Sequence, residues 1–324
     1  MSLSIVFHGS NAAVFSDGFS ERLTHPHRLH RLPDQLDNPS DQKTYAEADI
    51  IIGISYNETY PVPSQLKLYH VPGAGYDGIK TTALPQGAKL CNCFGHEQPI
   101  AEYVLHAILN RVLPIQTADA DLRQGRWTYW AGGSGTMHEE IAGTTIGLLG
   151  FGHIGKAIAR RAKAFEMQVL AANRSPIHAP DLVDQAFLLK DMDAFWRQAD
   201  YVICSLPLNG ETQSFVNQHS LSLMKKSAVI INVGRGPVID EGALYDALAG
   251  HHIAGAIIDT WYQYPNAQNP HPLPAHKPFH TLPNLIMTPH MSGWTHGTIH
   301  RRQRTILDNI ERLTRGEPLQ NQIL

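Results

Sequence analysis

The sequence contains little cysteine. Only three of its 324 residues are cysteines, at Cys91, Cys93 and Cys204. An odd number without regular spacing argues against a disulfide-stabilised fold and is typical of a protein from a reducing compartment. We therefore expect a cytoplasmic location and a structural role for Cys91 and Cys93, which we place at alternate positions of a strand end.

Long apolar runs and an excess of positive charge are also missing. No segment approaches the roughly 18 consecutive apolar residues of a membrane span, and the initial MSLSIVF lacks the basic start of a secretory signal. The formal net charge is -3, so the chain lacks the broad basic surface of a nucleic-acid-binding protein. We expect a small-molecule partner rather than a nucleic acid or a membrane.

Histidine is abundant, with 19 residues, and two groups of histidines invite a metal-binding interpretation. One group is the segment HPHRLH at positions 25–30, and the other is the pair His251 and His252. Neither group has supporting cysteines or acidic residues at the spacing of a zinc site. We predict surface histidines and no metal site.

Apolar segments of strand length alternate with helical segments along most of the chain. The continuous apolar run at 48–54 is typical of a strand in a parallel sheet that is covered on both faces. A helix over 99–112 and a final helix over 295–315 are predicted from their periodicity. The alternation indicates βαβ units and an α/β fold. Further strands are predicted at 3–7, 67–71, 145–149, 168–172, 199–206, 228–233, 253–258 and 285–288.

One glycine-rich turn, GFGHIG at 150–155, follows a predicted strand and opens a predicted helix. In that context, glycines let the backbone approach a pyrophosphate, and the helix N-terminus offers free N–H groups to its charge. The alternative is a turn that serves only the packing of helix on strand. We predict a dinucleotide site that includes Gly150, Gly152, His153, Ile154 and Gly155.

The residues after the next strand indicate which dinucleotide is bound. An acidic residue there binds the ribose hydroxyls of NAD(H), whereas an arginine accommodates the 2′-phosphate of NADP(H). The sequence has Asn173, Arg174 and Ser175 at this place, and therefore a guanidinium and a hydroxyl instead of a carboxylate. We predict NADP(H) over NAD(H), the alternative being an exposed Arg174 and mixed cofactor use.

Three polar residues follow later strands of the same predicted sheet: Arg235, Asp259 and His290. Ligands of open α/β sheets bind at the carboxyl ends of the strands, so these side chains are candidates for one site. Arg235 suits the binding of a carboxylate, and His290 suits proton transfer near neutral pH. Singly, each has a plainer interpretation as a solvated arginine or a satisfied loop histidine.

Six segments together carry a resemblance to a known family: VPGAGYD at 71–77, IAEY at 100–103, GFGHIG at 150–155, SLPLNGET at 205–212, NVGRGPVID at 232–240 and TPHMSGW at 288–294. The chain resembles the D-isomer-specific 2-hydroxyacid dehydrogenases, which include glyoxylate/hydroxypyruvate reductases, phosphoglycerate and D-lactate dehydrogenases, and formate dehydrogenase. The match runs from about residue 66 to residue 294 and is specific, whereas the first sixty residues match mainly by strand pattern.

The resemblance implies two Rossmann- or flavodoxin-like domains with doubly wound parallel sheets and a cleft between them. It implies a substrate domain from residues 1–96 plus 295–324 and an NAD(P)-binding domain from residues 97–294. A homodimer built through the cofactor domain is usual in the family. In similar glyoxylate reductases a tryptophan reaches the neighbour's active site, and Trp130 matches it, although core packing is an equal alternative.

The resemblance also assigns roles to single residues. It implies that the backbone N–H groups of Ala74 and Gly75 bind the substrate carboxylate together with Arg235. It implies that Asp259 faces the nicotinamide carboxamide and that three other residues line the nicotinamide nucleotide, namely Leu206, Pro207 and Val233. His290 is the implied acid and base beside the cofactor.

The sequence departs from the family pattern in two places. Most members carry a glutamate five residues after the position of Asp259, and it pairs with the catalytic histidine; here the residue is Tyr264. We expect Tyr264 or Gln263 to orient His290 without adding a charge, so that His290 titrates near the ordinary value of about 6.5. The second departure is His96-Glu97 at the predicted hinge, where Glu97 either replaces the missing partner, selects a polar substrate or only adds hinge polarity.

The favoured function is reduction of a small 2-keto acid, of the glyoxylate or hydroxypyruvate type, to the D-2-hydroxy acid. A non-catalytic dinucleotide sensor is one alternative, and the missing glutamate favours it slightly. Formate- or phosphite-type oxidation is another alternative within the family. The retained Arg235, His290 and Ala74-Gly75 loop favour the reductase.

Overall fold

A computed structural model describes residues 2–266 and 268–324 of the chain. The chain forms two units: one combines Met1–His96 with Trp294–Leu324, and the other is Glu97–Gly293. Trp294, which we expected at the end of the second unit, lies in the first. The reason is that its ring packs edge to face on Phe15, with 6.1 Å between the ring centroids.

The described strands of the first unit form one parallel sheet. They are β1 (Leu3–His8), β2 (His27–Leu32), β3 (Ile50–Ile52), β4 (Leu68–His70) and β5 (Lys89–Cys91). Their order is β2-β1-β3-β4-β5, and every adjacent pair is parallel. This is the strand order of flavodoxin-like folds, in which both faces are covered and inner strands such as β3 are wholly apolar.

Helices cover that sheet, and one of them comes from the far end of the chain. The helices are α1 (Gly9–Ala13), α2 (Pro39–Ala46) and the C-terminal helix (His296–Arg315). Thr295 caps the C-terminal helix by accepting the Thr298 N–H at 3.2 Å, and its apolar face enters the same core as β1. The final residues therefore complete the core of the first unit.

The second unit is built on a larger parallel sheet. Its strands are β6 (Thr145–Leu149), β7 (Gln168–Asn173), β8 (Gln185–Leu188), β9 (Tyr201–Cys204), β10 (Val229–Asn232), β11 (Gly255–Ile258) and β12 (Leu285–Met287). Their order is β12-β11-β10-β9-β6-β7-β8. The order reverses between β6 and β9, as in a Rossmann fold.

Helices pack on both faces of this second sheet. Two apolar clusters, one on each face, hold them there because the inner strands are buried on both sides. No helix of the described residues is both long enough and apolar enough to cross a membrane. The helices are α3 (Glu97–Val112), α4 (Ile115–Leu122), α5 (His153–Ala164), α6 (Asp193–Gln198), α7 (Gln218–Leu223) and α8 (Glu241–Ala249).

Strands β2 and β8 were not predicted, and both lie at a sheet edge. An edge strand pairs on one side only and tolerates polar side chains, so its sequence lacks the apolar signal of an inner strand. In β2 only Leu32 is fully buried, and this strand contains most of the histidine-rich segment. Among the described residues, no group of three or more His, Cys, Asp or Glu side chains is arranged to hold a metal ion.

A buried histidine connects β4 to the C-terminal helix. His70 Nε2 lies 2.9 Å from Asn309 Nδ2, which donates to it, and His70 Nδ1 lies 3.2 Å from the Val71 carbonyl oxygen. The imidazole is therefore neutral and carries its proton on Nδ1. Burial lowers the pKa of His70 to about 4, because a charged ring loses its hydration there.

This arrangement predicts acid sensitivity. The unfolded chain binds a proton at His70 near pH 6.5, whereas the folded chain does so only near pH 4. The contribution of neutral His70 to the free energy of unfolding is therefore fully present above about pH 6.5. It is lost as the pH falls toward 4, by up to about 3 kcal/mol. His70→Gln, which keeps an acceptor for Asn309, should show a shallower loss in urea denaturation over this range. His280→Gln, at an exposed histidine, is the control, and equal pH slopes in all three proteins would contradict the prediction.

Candidate functional site

The glycine turn joins β6 to α5 in the way a bound dinucleotide requires. Gly150 has a φ of 95°, which a side chain disfavours, and a Cβ at Gly155 would collide with the Gly150 carbonyl oxygen. At Gly152, the N-cap of α5, a Cβ would meet nothing within 4 Å. The helix N-terminus is thus open at Gly152, as the predicted pyrophosphate site requires, and His153 and Ile154 are the first two residues of that helix.

The residues predicted to contact the nucleotide surround this turn on the same edge of the sheet. Asn173 ends β7, and Arg174 and Ser175 follow it with exposed side chains. After β9, Leu206 is buried and Pro207 is exposed. Val233, which follows β10, is also buried. The contacts of these residues with a cofactor remain predictions.

Arg235 lies on a short turn after β10 that a buried asparagine fixes. The Asn232 side chain accepts the Gly234 N–H at 3.1 Å and donates to the Arg235 carbonyl at 3.0 Å. The Arg235 guanidinium donates to the Gly234 carbonyl at 3.0 Å. The asparagine thus sets the direction in which the arginine leaves the sheet.

The loop that carries His290 is bound to a buried carboxylate. Asp259, which follows β11, is fully buried, and its oxygens accept the Thr288 hydroxyl at 2.6 Å, the Met291 N–H at 2.9 Å and the Ser292 N–H at 3.0 Å. His290 between them has a φ of 58°, a left-handed conformation that costs a non-glycine residue about 1 kcal/mol. The three bonds hold the loop in this conformation. The predicted contact of Asp259 with the nicotinamide remains a prediction.

Tyr264 occupies the place beside His290. Its hydroxyl lies 2.9 Å from His290 Nδ1 and also accepts the Trp261 N–H at 3.1 Å. The tyrosine side chain is 44% exposed, so the pair lies near solvent. Of the two residues expected to orient His290, Tyr264 is the one whose contact with Nδ1 is defined.

Two aromatic residues that the sequence did not single out support the His290 loop. Trp261 Nε1 donates to the Thr288 carbonyl at 2.7 Å. The Tyr103 hydroxyl on α3 lies 2.7 Å from Thr288 Oγ1, and burial raises the pKa of Tyr103. Tyr103 lies within the IAEY segment, but its separation from Thr288 by 185 residues hides the contact from sequence reasoning.

The loop predicted to bind a carboxylate through backbone N–H groups lies in the first unit, after β4. Gly75 is exposed and Ala74 is partly exposed. The side chain of Asn92 donates to the Ala74 carbonyl at 2.7 Å. Because a peptide group is planar and trans, fixing this carbonyl also fixes the Gly75 N–H in the opposite direction. Asn92 was not among the predicted site residues.

His96 and Glu97, predicted to be hinge residues, are the two residues between which the chain passes from the first unit to the second. His96 is the last residue of the first segment of unit one, and Glu97 is the first residue of α3. The proposed substitution of Glu97 for the missing family glutamate remains a prediction.

The sequence was compared with models of known protein families. Residues 105–292 match the family described as D-isomer specific 2-hydroxyacid dehydrogenase, NAD binding domain. The chain belongs to this family. It is 30% identical over 303 residues to glyoxylate/hydroxypyruvate reductase B from Serratia proteamaculans, covering 90% of this chain and 89% of that protein. As a family member it is an oxidoreductase that depends on a nicotinamide dinucleotide and acts on a small 2-hydroxy or 2-keto acid.

Two solved structures extend the similarity to the whole dehydrogenase. A D-isomer-specific 2-hydroxyacid dehydrogenase family protein from Aeromonas salmonicida has a TM-score of 0.80 at 28% identity, covering 99% of this chain and 98% of that one. An acyclic imino acid reductase, solved with NADPH and D-Arg, has a TM-score of 0.77 at 25% identity and covers 99% of both chains. The predicted fold of two Rossmann-like domains is confirmed.

The buried carboxylate of Asp259 gives a prediction about the dehydrogenase. Asp259→Ala should lower the free energy of unfolding by on the order of 3 kcal/mol, because buried N–H and O–H donors lose their acceptor. Thr288→Val removes only one of the three donors to Asp259 and should lower the free energy of unfolding by about 1 kcal/mol. Hydrogen exchange should show lost protection at the Met291 and Ser292 amides in Asp259→Ala only. Retained protection there would mean that the loop is held by other contacts.

Proposed function

We propose that this dehydrogenase reduces a small 2-keto acid with NADPH to the D-2-hydroxy acid, with glyoxylate or hydroxypyruvate as the favoured substrates. The observation that carries the proposal is the placement of Arg235 and His290 after β10 and β12, at the edge of the sheet where the glycine turn follows β6. The same edge thus presents a carboxylate-binding cation, a proton donor and a dinucleotide turn.

Each residue has a separate role in the proposed reaction. The Arg235 guanidinium binds the substrate carboxylate in two parallel hydrogen bonds, and the Ala74 and Gly75 N–H groups of the substrate domain bind it as well. His290 gives a proton to the carbonyl oxygen during reduction. The bound nicotinamide supplies the hydride.

Tyr264 is proposed to hold His290 through both protonation states. The imidazolium donates its Nδ1–H to the tyrosine oxygen and carries its second proton on Nε2. After Nε2 has given that proton to the substrate, the neutral imidazole keeps its Nδ1–H and the same bond to the tyrosine oxygen. Nε2 is therefore the nitrogen that we assign to the substrate oxygen. Since tyrosine adds no negative charge, the imidazolium is less stabilised than beside the glutamate of other family members.

That difference favours a second candidate substrate class. A 2-imino acid is already protonated on nitrogen near neutral pH and does not need a strong acid. A neutral partner of His290, such as Tyr264, suits this substrate better than the glutamate of other family members does. One of the similar structures is that of an acyclic imino acid reductase. Assays should therefore include a 2-keto acid together with an amine.

The preference for NADPH over NADH is proposed from the end of β7. Arg174 and Ser175 are exposed there, and Asn173 replaces the acidic residue that would repel a 2′-phosphate. Arg174 is the cation assigned to that phosphate.

A homodimer through the NAD(P)-binding domain is also proposed. Trp130 is 57% exposed, so the alternative that it packs in the core is wrong. Trp127 and Met137 are exposed in the same segment, and an apolar surface of this kind is typical of a subunit interface. We further propose a cytoplasmic location, which the three free and buried cysteines support.

The first test is oxidation of NADPH with glyoxylate, hydroxypyruvate, pyruvate and phenylpyruvate at pH 6 and pH 8. Turnover should be faster at pH 6, because reduction needs a protonated histidine and histidines lose their proton near 6.5. Arg235→Gln should lower kcat/KM by about 100-fold, since a charge-assisted pair is lost. Arg197→Gln, on the exposed side of α6, is the control. Tight NADPH binding without any turnover would instead favour the sensor interpretation.

The second test concerns the cofactor. Arg174→Ala should raise the KM for NADPH by roughly tenfold and leave the KM for NADH nearly unchanged, because only NADPH carries the phosphate that Arg174 binds. Arg160→Ala, on the exposed side of α5, should change neither value. Equal effects on both cofactors would exclude a role for Arg174 in phosphate recognition.

A further inference from the structure

Tyr264 can orient His290 only if its own backbone is held in place. The tyrosine belongs to a long connection between β11 and β12, and its side chain is 44% exposed. Two stretches of that connection, 261–264 and 274–277, run side by side. The Tyr262 and Gln263 N–H groups donate to the Pro274 carbonyl at 3.2 and 2.9 Å. The position of Tyr264 thus depends on the position of Pro274.

One carboxylate holds the second stretch. Glu241 Oε1 accepts the backbone N–H groups of His276 at 2.6 Å and Lys277 at 2.7 Å. Glu241 Oε2 lies 2.9 Å from His276 Nδ1. A carboxylate that accepts three hydrogen bonds from one short segment is a strong and directional anchor.

Glu241 is well suited to this task. Its side chain is only 18% exposed, and it is the first residue of α8, so a regular element carries it. Burial would raise the pKa of Glu241, but the hydrogen bonds from His276 and Lys277 outweigh it and hold the pKa below its ordinary value. The carboxylate is therefore charged at neutral pH.

We propose that Glu241 is a positioning residue for the Tyr264–His290 pair. The connection runs from the Glu241 carboxylate to the backbone of 276–277, then through the Pro274 carbonyl to 262–263, and so to the Tyr264 hydroxyl. Tyr262 adds a second anchor, because its hydroxyl donates to the Ile239 carbonyl at 3.0 Å and its ring stacks on Phe279. The proposal rests on the proposed role of His290 and Tyr264 in the reaction.

Small displacements matter at the end of this connection. The bond between the Tyr264 oxygen and His290 Nδ1 is 2.9 Å long, and hydrogen bonds weaken steeply beyond about 3.2 Å. A shift of about 1 Å at Tyr264 would break this hydrogen bond, and misplacement of this size can cost an enzyme much of its rate. Glu241 touches neither substrate nor cofactor in this scheme.

A double-mutant cycle tests the proposal on the full-length enzyme with NADPH and its best 2-keto acid. Glu241→Ala and Tyr264→Phe should each lower kcat/KM on the order of tenfold, and the double variant should be no slower than Tyr264→Phe alone. The conservative Glu241→Gln should retain most of the activity, because its amide oxygen can still accept the two backbone N–H groups. Where Glu241→Ala does not fold, His276→Ala, which removes the Oε2 contact, takes its place in the cycle.

Asp240→Ala is the matched control. Asp240 caps α8 by accepting the Ala243 N–H at 2.8 Å, so the variant weakens the start of the same helix without removing an acceptor from 276–277. Its kcat/KM should remain within about twofold of wild type, because the Glu241 carboxylate and its hydrogen bonds to 276–277 are still present.

The outcomes separate the two proposals. Additive losses in the cycle, or an equal loss in Asp240→Ala, would overturn the positioning role and leave the proposed function intact. A fully active Tyr264→Phe would overturn the role of Tyr264 in the proposed reaction, and with it the positioning role of Glu241. A non-additive cycle with an active Asp240→Ala supports the proposal.

Discussion

The candidate site depends on a charge inside the protein. A carboxylate without water is costly unless hydrogen bonds surround it, and Asp259 meets this condition with one hydroxyl and two backbone N–H groups. The donors all come from the loop of His290. The loop therefore satisfies the carboxylate, and the carboxylate in turn keeps the loop in a backbone conformation that it would not adopt by itself. Replacement of either partner affects both.

Parallel strands explain why such different residues gather. In the second unit, β6, β10, β11 and β12 run in the same direction, so each of them ends at the same edge of the sheet. The glycine turn, Arg235, Asp259 and the His290 loop all follow directly from those ends. Strands β6, β10 and β11 are rigid because they are buried on both faces, and short turns extend that rigidity to the polar side chains. Strand β12 is a partly exposed edge strand, and the hydrogen bonds to Asp259 hold the loop that follows it. Tyr264 differs from these residues, because it lies within the long connection between β11 and β12.

The sequence predicted the inner strands well, because short continuous apolar runs such as those of β6 and β10 are typical of strands buried on both faces. It missed β2 and β8, whose exposed sides accept polar residues. The family resemblance identified Arg235 and His290 because both belong to its sequence motifs. It did not decide whether Tyr264 or Gln263 orients His290, since the ends of the strands do not determine the path of a long loop. The anchor formed by Glu241 and His276 has no periodic signal, and only the folded backbone brings these residues together.

The first unit is discontinuous in sequence, and this has a consequence for synthesis on the ribosome. Its core needs Ile306, Leu307 and Ile310 of the C-terminal helix beside Phe7 and Phe15. The second unit is contiguous and can fold as soon as residue 293 has emerged, whereas the first must wait for almost the whole chain. During that interval the part of the first core that the C-terminal helix completes stays uncovered. The N-terminal segment of the first unit is thus made before the second unit but becomes stable after it, and in the meantime it is accessible to chaperones.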